Sequence, residues 1–209
     1  MGCDIHMYVE RKVNGKWCNA DYFVPNPDWE PDQWGRVPKE KYEHVEIYDV
    51  RNYALFATLA NVRNYGNTEY ISEPRGLPDD VTDFVREEWE SWGIDGHSAS
   101  WLTLLELIEF HEERHPLKRR GMLSPEQQEA LDDGILPEHW CQGCNQLGYE
   151  FREWEEDNDV LVPLINRLKE RCNDLYMIYD FAWDSSNEAM RRSAYRKASD
   201  IRIVFWFDN

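Results

Sequence analysis

The closing segment DIRIVFWFDN constrains this chain more than any other. Ile201, Ile203, Phe205 and Phe207 alternate with Arg202, Val204, Trp206 and Asp208. A strand with one wet face alternates apolar with polar residues; here both faces are largely apolar. Such a strand needs cover on both faces and a neighbour on each edge, so the pattern predicts a central strand. The best partner lies at the other end of the sequence. Asn14-Gly15 is a two-residue hairpin turn, because both positions accept positive φ. That turn sets Val13 opposite Lys16, Val9 opposite Ala20 and Met7 opposite Tyr22. Ile5, Met7 and Val9 then share a face with Cys18, Ala20 and Tyr22. The other face carries Asp4, His6, Tyr8 and Glu10 opposite Trp17, Asn19, Asp21 and Phe23. The expected fold class is α+β: a mostly antiparallel sheet formed by an N-terminal hairpin over residues 3–24 and the C-terminal strand, with helices inserted between them.

A chain of 209 residues can bury one real core, and 1–209 reads as a single domain. Residues 25–44 are Pro-rich and polar and read as a long loop, a lid or binding arm. A short strand is expected at 45–50 and helices at 52–62, from Pro78 to about Trp92, and from Ser124-Pro125 to Gly134. Another helix is capped by Ser100 or by Thr103, the latter forming a capping box with Glu106. A longer one begins near Asp159, with Pro163 tolerated in its first turn. Residues 187–197 read as a last, basic helix.

The formal net charge of -18 excludes direct nucleic-acid binding through a basic stripe and repels anionic membranes. A spread acidic surface keeps a protein dispersed; a DNA mimic is the sharper alternative. No run approaches the roughly 18 apolar residues of a membrane span. The opening MGCDIHMYVE lacks an apolar signal region, and His6 breaks the myristoylation pattern. Five cysteines without such a signal point to a reducing cytoplasm. Aromatic residues make up 14% of the chain, enough to fill a core and to offer rings to flat ligands such as bases.

Three groups of residues can carry chemistry. Asp4 and His6 lie two apart on one strand, so both project from one face, and Asp208 lies on the neighbouring strand. Together they can bind a divalent metal or hold a water for attack; as a hydrogen-bonded pair, Asp4 and His6 can simply support the sheet. The D-x-H pattern is that of the calcineurin-like metallophosphoesterases, but G-D-x-x-D and G-N-H-[DE] are both missing, which removes that assignment. The second group is Arg75 with His97, Ser98 and Ser100. Small polar residues at a helix start offer backbone N–H groups and hydroxyls to an anion, and Arg75 in a rigid turn offers a clamp. Trp206 supplies a ring for the same ligand. An N-capped helix and a surface ion pair are the plainer readings. The third is Cys141 and Cys144 with His139, and Cys172 further on, a weak zinc pattern that lacks a second close pair. No P-loop, dinucleotide fingerprint or nucleophile elbow occurs.

Met1-Gly2-Cys3-Asp4-Ile5-His6, Arg51–Phe56, Glu73–Pro78, His97–Thr103 and Arg202–Asn209 together resemble a family of phage and bacterial proteins. The resemblance leaves out residues 112–158, which read as a variable insertion. It implies a phage or prophage accessory protein in the host cytoplasm and no particular reaction; the family pattern carries a second histidine where this chain has Ala99. Three functions follow as expectations. The first is binding of a small anionic, nucleotide-like ligand, such as a host defence signal to be sequestered. The second is metal-dependent phosphoester hydrolysis at Asp4 and His6. The third is an acidic interaction protein that blocks a host factor.

Overall fold

The computed structural model describes residues 2–27, 42–171 and 197–209. The expected helix at 187–197 and most of the 25–44 loop lie outside the described residues. The described elements run β1 (Asp4–Val13), β2 (Lys16–Asn19), β3 (Tyr22–Pro25), β4 (Tyr42–Val45), α1 (Tyr53–Ala60), α2 (Asp83–Trp92), β5 (His97–Thr103), α3 (Leu104–Glu112), β6 (Leu117–Leu123), α4 (Pro125–Asp132), β7 (Glu150–Glu156), α5 (Val162–Arg171) and β8 (Ile201–Asp208). The protein is α+β. No helix among the described residues is long and apolar enough to cross a membrane. The chain clusters into two compact units: residues 1–51, 74–108 and 163–209, and residues 52–73 and 109–162.

In the first unit β8 is central, in a four-stranded antiparallel sheet of order β2-β1-β8-β5. Residues 201–207 are all buried, as two apolar faces require. Asn14 and Gly15 take φ of 50° and 81°, and Val13 pairs with Lys16 as their turn dictates. The hairpin is shorter than the alternation suggests. Ala20 makes the last main-chain bond to Val9, and the Asp21 carboxylate then accepts the Val9 N–H at 3.1 and 3.2 Å. With that donor satisfied, Tyr22–Pro25 turn away to pair with β4, so the short strand expected at 45–50 lies instead at 42–45.

The second edge of β8 is covered by His97–Thr103, so of the two caps expected for the next helix Ser100 lies within a strand and Thr103 is the cap. An open edge on a buried central strand would strand its N–H and C=O groups, and that demand overrides local preference. The helix begins only after Thr103, whose N–H and hydroxyl both donate to Glu106 at 2.8 Å.

One face of the sheet packs under α2. Tyr8, Ala99, Val204 and Trp206 meet Val81 and Val85, with Trp89, Trp92 and Trp101 at the margin. Within this unit Arg202 is 2% exposed, and its Nε donates to the fully buried Glu10 at 2.7 Å. Its Nη1 donates to Asp80 at 2.7 Å, while the other Glu10 oxygen accepts the Thr82 N–H at 2.7 Å. Every strong group is thus matched. Removing Arg202 leaves the buried Glu10 carboxylate without a counter-charge, which costs about 3–5 kcal/mol, whereas apolar replacement of both costs far less. Urea denaturation of Arg202→Met should show a loss of that size, with a smaller one for the Glu10→Leu/Arg202→Met double variant. A single variant within about 1 kcal/mol of the parent would refute this reading of the pair.

Candidate functional site

The sheet register brings Asp4, His6 and Asp208 to one end of one face, as their positions suggest: Asp4 pairs with Asp208, and His6 with Trp206. Their environment differs from that of a metal or hydrolytic centre. Arg51 grips Asp4 in a fork, Nε to Oδ1 at 2.8 Å and Nη2 to Oδ2 at 2.5 Å, and holds its carboxyl below the usual pKa. The His6 ring lies 4.0 Å from the Trp92 ring. Its Nε2 is 3.5 Å from Asp208 and its Nδ1 3.8 Å from Glu46, ion-pair rather than hydrogen-bond distances. Burial disfavours the charged ring, but the two carboxylates outweigh it and raise its pKa. Among the described residues no three His, Cys, Asp or Glu side chains form a set able to hold a metal ion.

The second group also stands differently from its sequence reading. The Arg75 N–H donates to the Ser100 hydroxyl at 3.2 Å, and its guanidinium pairs with Glu106 at 2.7 Å. Ser100 and Trp206 are fully buried, packed as parts of the sheet and not as the walls of a binding site. His97 and Ser98 sit at a bulge, with Ser98 at φ 53° and its hydroxyl 3.0 Å from His97 Nδ1. Arg75 instead ends a column of alternating cations and indoles. Lys12 lies 4.8 Å from Trp17, Arg202 lies 4.0 Å from Trp17 and 5.9 Å from Trp101, and Arg75 lies 5.1 Å from Trp101. Each contact is worth about 0.5–2 kcal/mol, so the column ties β1, β2, β5 and β8 together across the sheet.

Of the zinc pattern, Cys172 lies outside the described residues. The main chain of Cys141 bridges to Met122, and burial followed by the neighbouring Cys144 holds the Cys141 thiol's pKa up. The Cys144 sulfur accepts the Gln146 N–H at 3.4 Å, and the His139 carbonyl accepts Gln127 Nε2 at 2.7 Å.

The second unit holds a pocket of its own. Its floor is β6, in a two-stranded antiparallel sheet with β7. One wall is the loop after α1. Asn61 closes that helix at φ 58°, and Arg63 and Asn67 also take left-handed φ, at 54° and 56°. Left-handed non-glycine residues cost about 1–3 kcal/mol unless their surroundings fix them. Here Asn64 fixes them: its Nδ2 donates to Asn61 Oδ1 and to the Thr68 carbonyl, at 2.9 and 2.8 Å, and its Oδ1 accepts the Thr68 N–H at 2.8 Å. Thr68 Oγ1 then accepts the Lys118 N–H at 3.0 Å and donates to the Lys118 carbonyl at 3.2 Å. Gly66 lies so close to β6 that a Cβ there would sit 2.0 Å from the Lys118 carbonyl oxygen. The opposite wall is Trp140–Gln142, joined to β6 by the Met122 N–H bond to the Cys141 carbonyl at 2.8 Å.

The cavity between these walls measures about 140 Å³ and carries Arg63, Lys118, Arg119 and Arg120, with Tyr53, Tyr65 and Trp140 as its rings. No carboxylate lines it among the described residues. A second recess of about 240 Å³ shares Gly66, Lys118 and Arg119 with it and adds Glu153, Trp154 and Glu155. Arg119 donates through Nε to Glu156 at 2.7 Å and lies 5.3 Å from the Trp140 ring. The Lys118 and Arg120 side chains pair with no carboxylate among the described residues. Sequence reading passed over this site, although Lys118-Arg119-Arg120 is a basic run in an acidic chain. Asn61, Asn64 and Asn67 around Gly66 also mark a loop that tolerates left-handed backbone.

Compared with known protein families, curated proteins and solved structures, the chain matches none. Two consequences of the geometry can be checked directly. Gly66→Ala forces a Cβ into main chain, so thermal unfolding should show a loss of about 1–3 kcal/mol; unchanged stability would mean that the loop does not sit on β6. His6 has a raised folded-state pKa, so the stability it contributes is full below about pH 6.5 and is lost as the pH rises through the raised value. The urea-midpoint gap between the parent and His6→Gln should therefore narrow from about pH 6 to about pH 9. A gap that is constant or widens would contradict the Glu46–His6–Asp208 arrangement.

Proposed function

We propose that this protein binds a small anionic, nucleotide-like ligand in the basic, aromatic-lined pocket of its second unit. The observation that carries the reading is that four cationic residues and no acidic one line one cavity of a chain whose net charge is -18. Random placement of an acidic chain's few cations would leave them paired on its surface. Lys118 and Arg120 instead stay available, and Arg119 is orientated by Glu156 and Trp140. Fixed guanidinium groups suit phosphate oxygens, and Tyr53, Tyr65 and Trp140 suit a flat ring. The strained loop at 61–67 adds support, since such backbone persists where surroundings over-determine it, and these places cluster at ligand sites.

The expected anionic ligand is kept, but its position moves from Arg75, His97, Ser98, Ser100 and Trp206 to the β6 pocket. The wider role that follows from the family resemblance is that of a phage or prophage accessory protein that captures a host defence signal.

Calorimetry and thermal shift with AMP, ADP-ribose, a cyclic dinucleotide and pyrophosphate test the reading. At a ligand concentration of 100 Kd the folded state should gain about 2.7 kcal/mol. Charge reversal in Lys118→Glu or Arg120→Glu should weaken binding by about tenfold or more, and Arg75→Glu should leave it unchanged. No stabilisation by any of the four, or a loss confined to Arg75→Glu, would overturn it.

A further inference from the structure

Among the described residues, the edge of β6 that faces away from β7 is held at two points. The Lys118 N–H and C=O bond to Thr68 Oγ1, and the Met122 N–H and C=O bond to the main chain of Cys141. In an antiparallel ladder the main-chain groups of every second residue point to the same edge. Arg120 lies midway between Lys118 and Met122, so its N–H and C=O point to that edge as well, opposite its non-hydrogen-bonded neighbour Glu153. No main-chain bond at that edge engages Arg120 among the described residues. Its two groups open between Gly66–Thr68 on one side and Trp140–Gln142 on the other, which are the walls of the pocket.

An extended residue's N–H and C=O lie side by side, a donor next to an acceptor. The complementary pattern is an acceptor next to a donor in one plane. Nucleobase edges present it: adenine through a ring nitrogen beside its amine, guanine through its carbonyl oxygen beside its ring N–H. Resting on the binding role proposed above, we infer that Arg120 main chain reads the edge of a nucleobase, while Lys118, Arg119 and Arg63 hold its phosphate. An added peptide strand is the other occupant of open strand edges. It is disfavoured here because the two clamps stand only about 14 Å apart, four strand steps of ~3.4 Å, and leave one residue's groups open between them. A second observation points to the same kind of ligand. Trp154 is 7% exposed and lines the adjoining recess, and its indole Nε1 has no acceptor among the described residues. A ribose hydroxyl oxygen in that recess would supply one, whereas Glu153 and Glu155 on its lining would repel a phosphate.

The test uses the full chain, with AMP, GMP and ribose 5-phosphate as probes. At least one purine monophosphate should bind about tenfold or more tightly than ribose 5-phosphate. On its addition the Arg120 amide, exchanging freely in the unbound protein, should become protected from hydrogen exchange. Arg120→Ala keeps the N–H and should weaken all three probes while preserving their ranking. Arg120→Pro deletes an edge N–H that a strand can spare and should abolish the ranking. Should the proline variant not fold, the amide protection in the parent protein decides. Equal binding of all three probes, or an unprotected Arg120 amide in the complex, would overturn the base-edge assignment and leave the anion pocket standing. Failure of all three to bind would overturn the base-edge assignment, and binding of pyrophosphate alone would leave the anion pocket standing.

Discussion

Two pairs of hydrogen bonds on the outer edge of β6, from Lys118 to the Thr68 hydroxyl and from Met122 to the Cys141 main chain, set the geometry on which the functional reading rests. Backbone N–H and C=O groups are obligatory hydrogen-bonding groups, and a strand edge must find partners for them or present them to solvent or ligand. Thr68 and Cys141 supply partners at alternate positions. They also carry with them the loop behind Asn64 and the segment behind Trp140, so the bonds that blunt the edge build the pocket's walls. The glycines follow from this closeness. Gly66 can lie on the Lys118 carbonyl, and Gly121 can lie under the Trp140 ring, only because neither has a Cβ.

Overall charge and local charge act over different distances. A net charge of -18 disfavours the approach of any anion from far away. At physiological ionic strength the Debye length is about 8 Å, so exposed carboxylates beyond that distance are largely screened inside a pocket. The cations that line it act at contact distance, through charge-assisted hydrogen bonds that screening weakens little. Small anions of high charge density are therefore compatible with this surface, whereas a long nucleic-acid strand would meet its acidic field along its whole length.

The framework of the first unit was legible because it is local pattern with few alternatives. The turn at Asn14-Gly15, the two-faced apolar run of β8 and the Thr103–Glu106 box each state a structure in a few residues. What was missed depends on partners distant in sequence. His97–Thr103 has small polar residues that suit a helix start, and only the empty edge of β8 makes it a strand. Leu117–Leu123 and Glu150–Glu156 carry charges on both faces, so their alternation is weak, and their pairing becomes visible only in three dimensions. Trp206 read as a ring for a ligand because sequence does not show that α2 covers that face. For the same reason Arg119, Trp140 and Thr68, far apart along the chain, could not be grouped beforehand.

Crystals grown with 8-bromo-AMP would locate the ligand most directly, because the bromine marks its base by anomalous scattering. The expected result is one strong peak over β6, between the 63–68 loop and Trp140, with the phosphate against Lys118 and Arg119. A peak beside Trp17 and Trp101, or beside His6, with the β6 pocket empty, would contradict the assignment of function to the second unit.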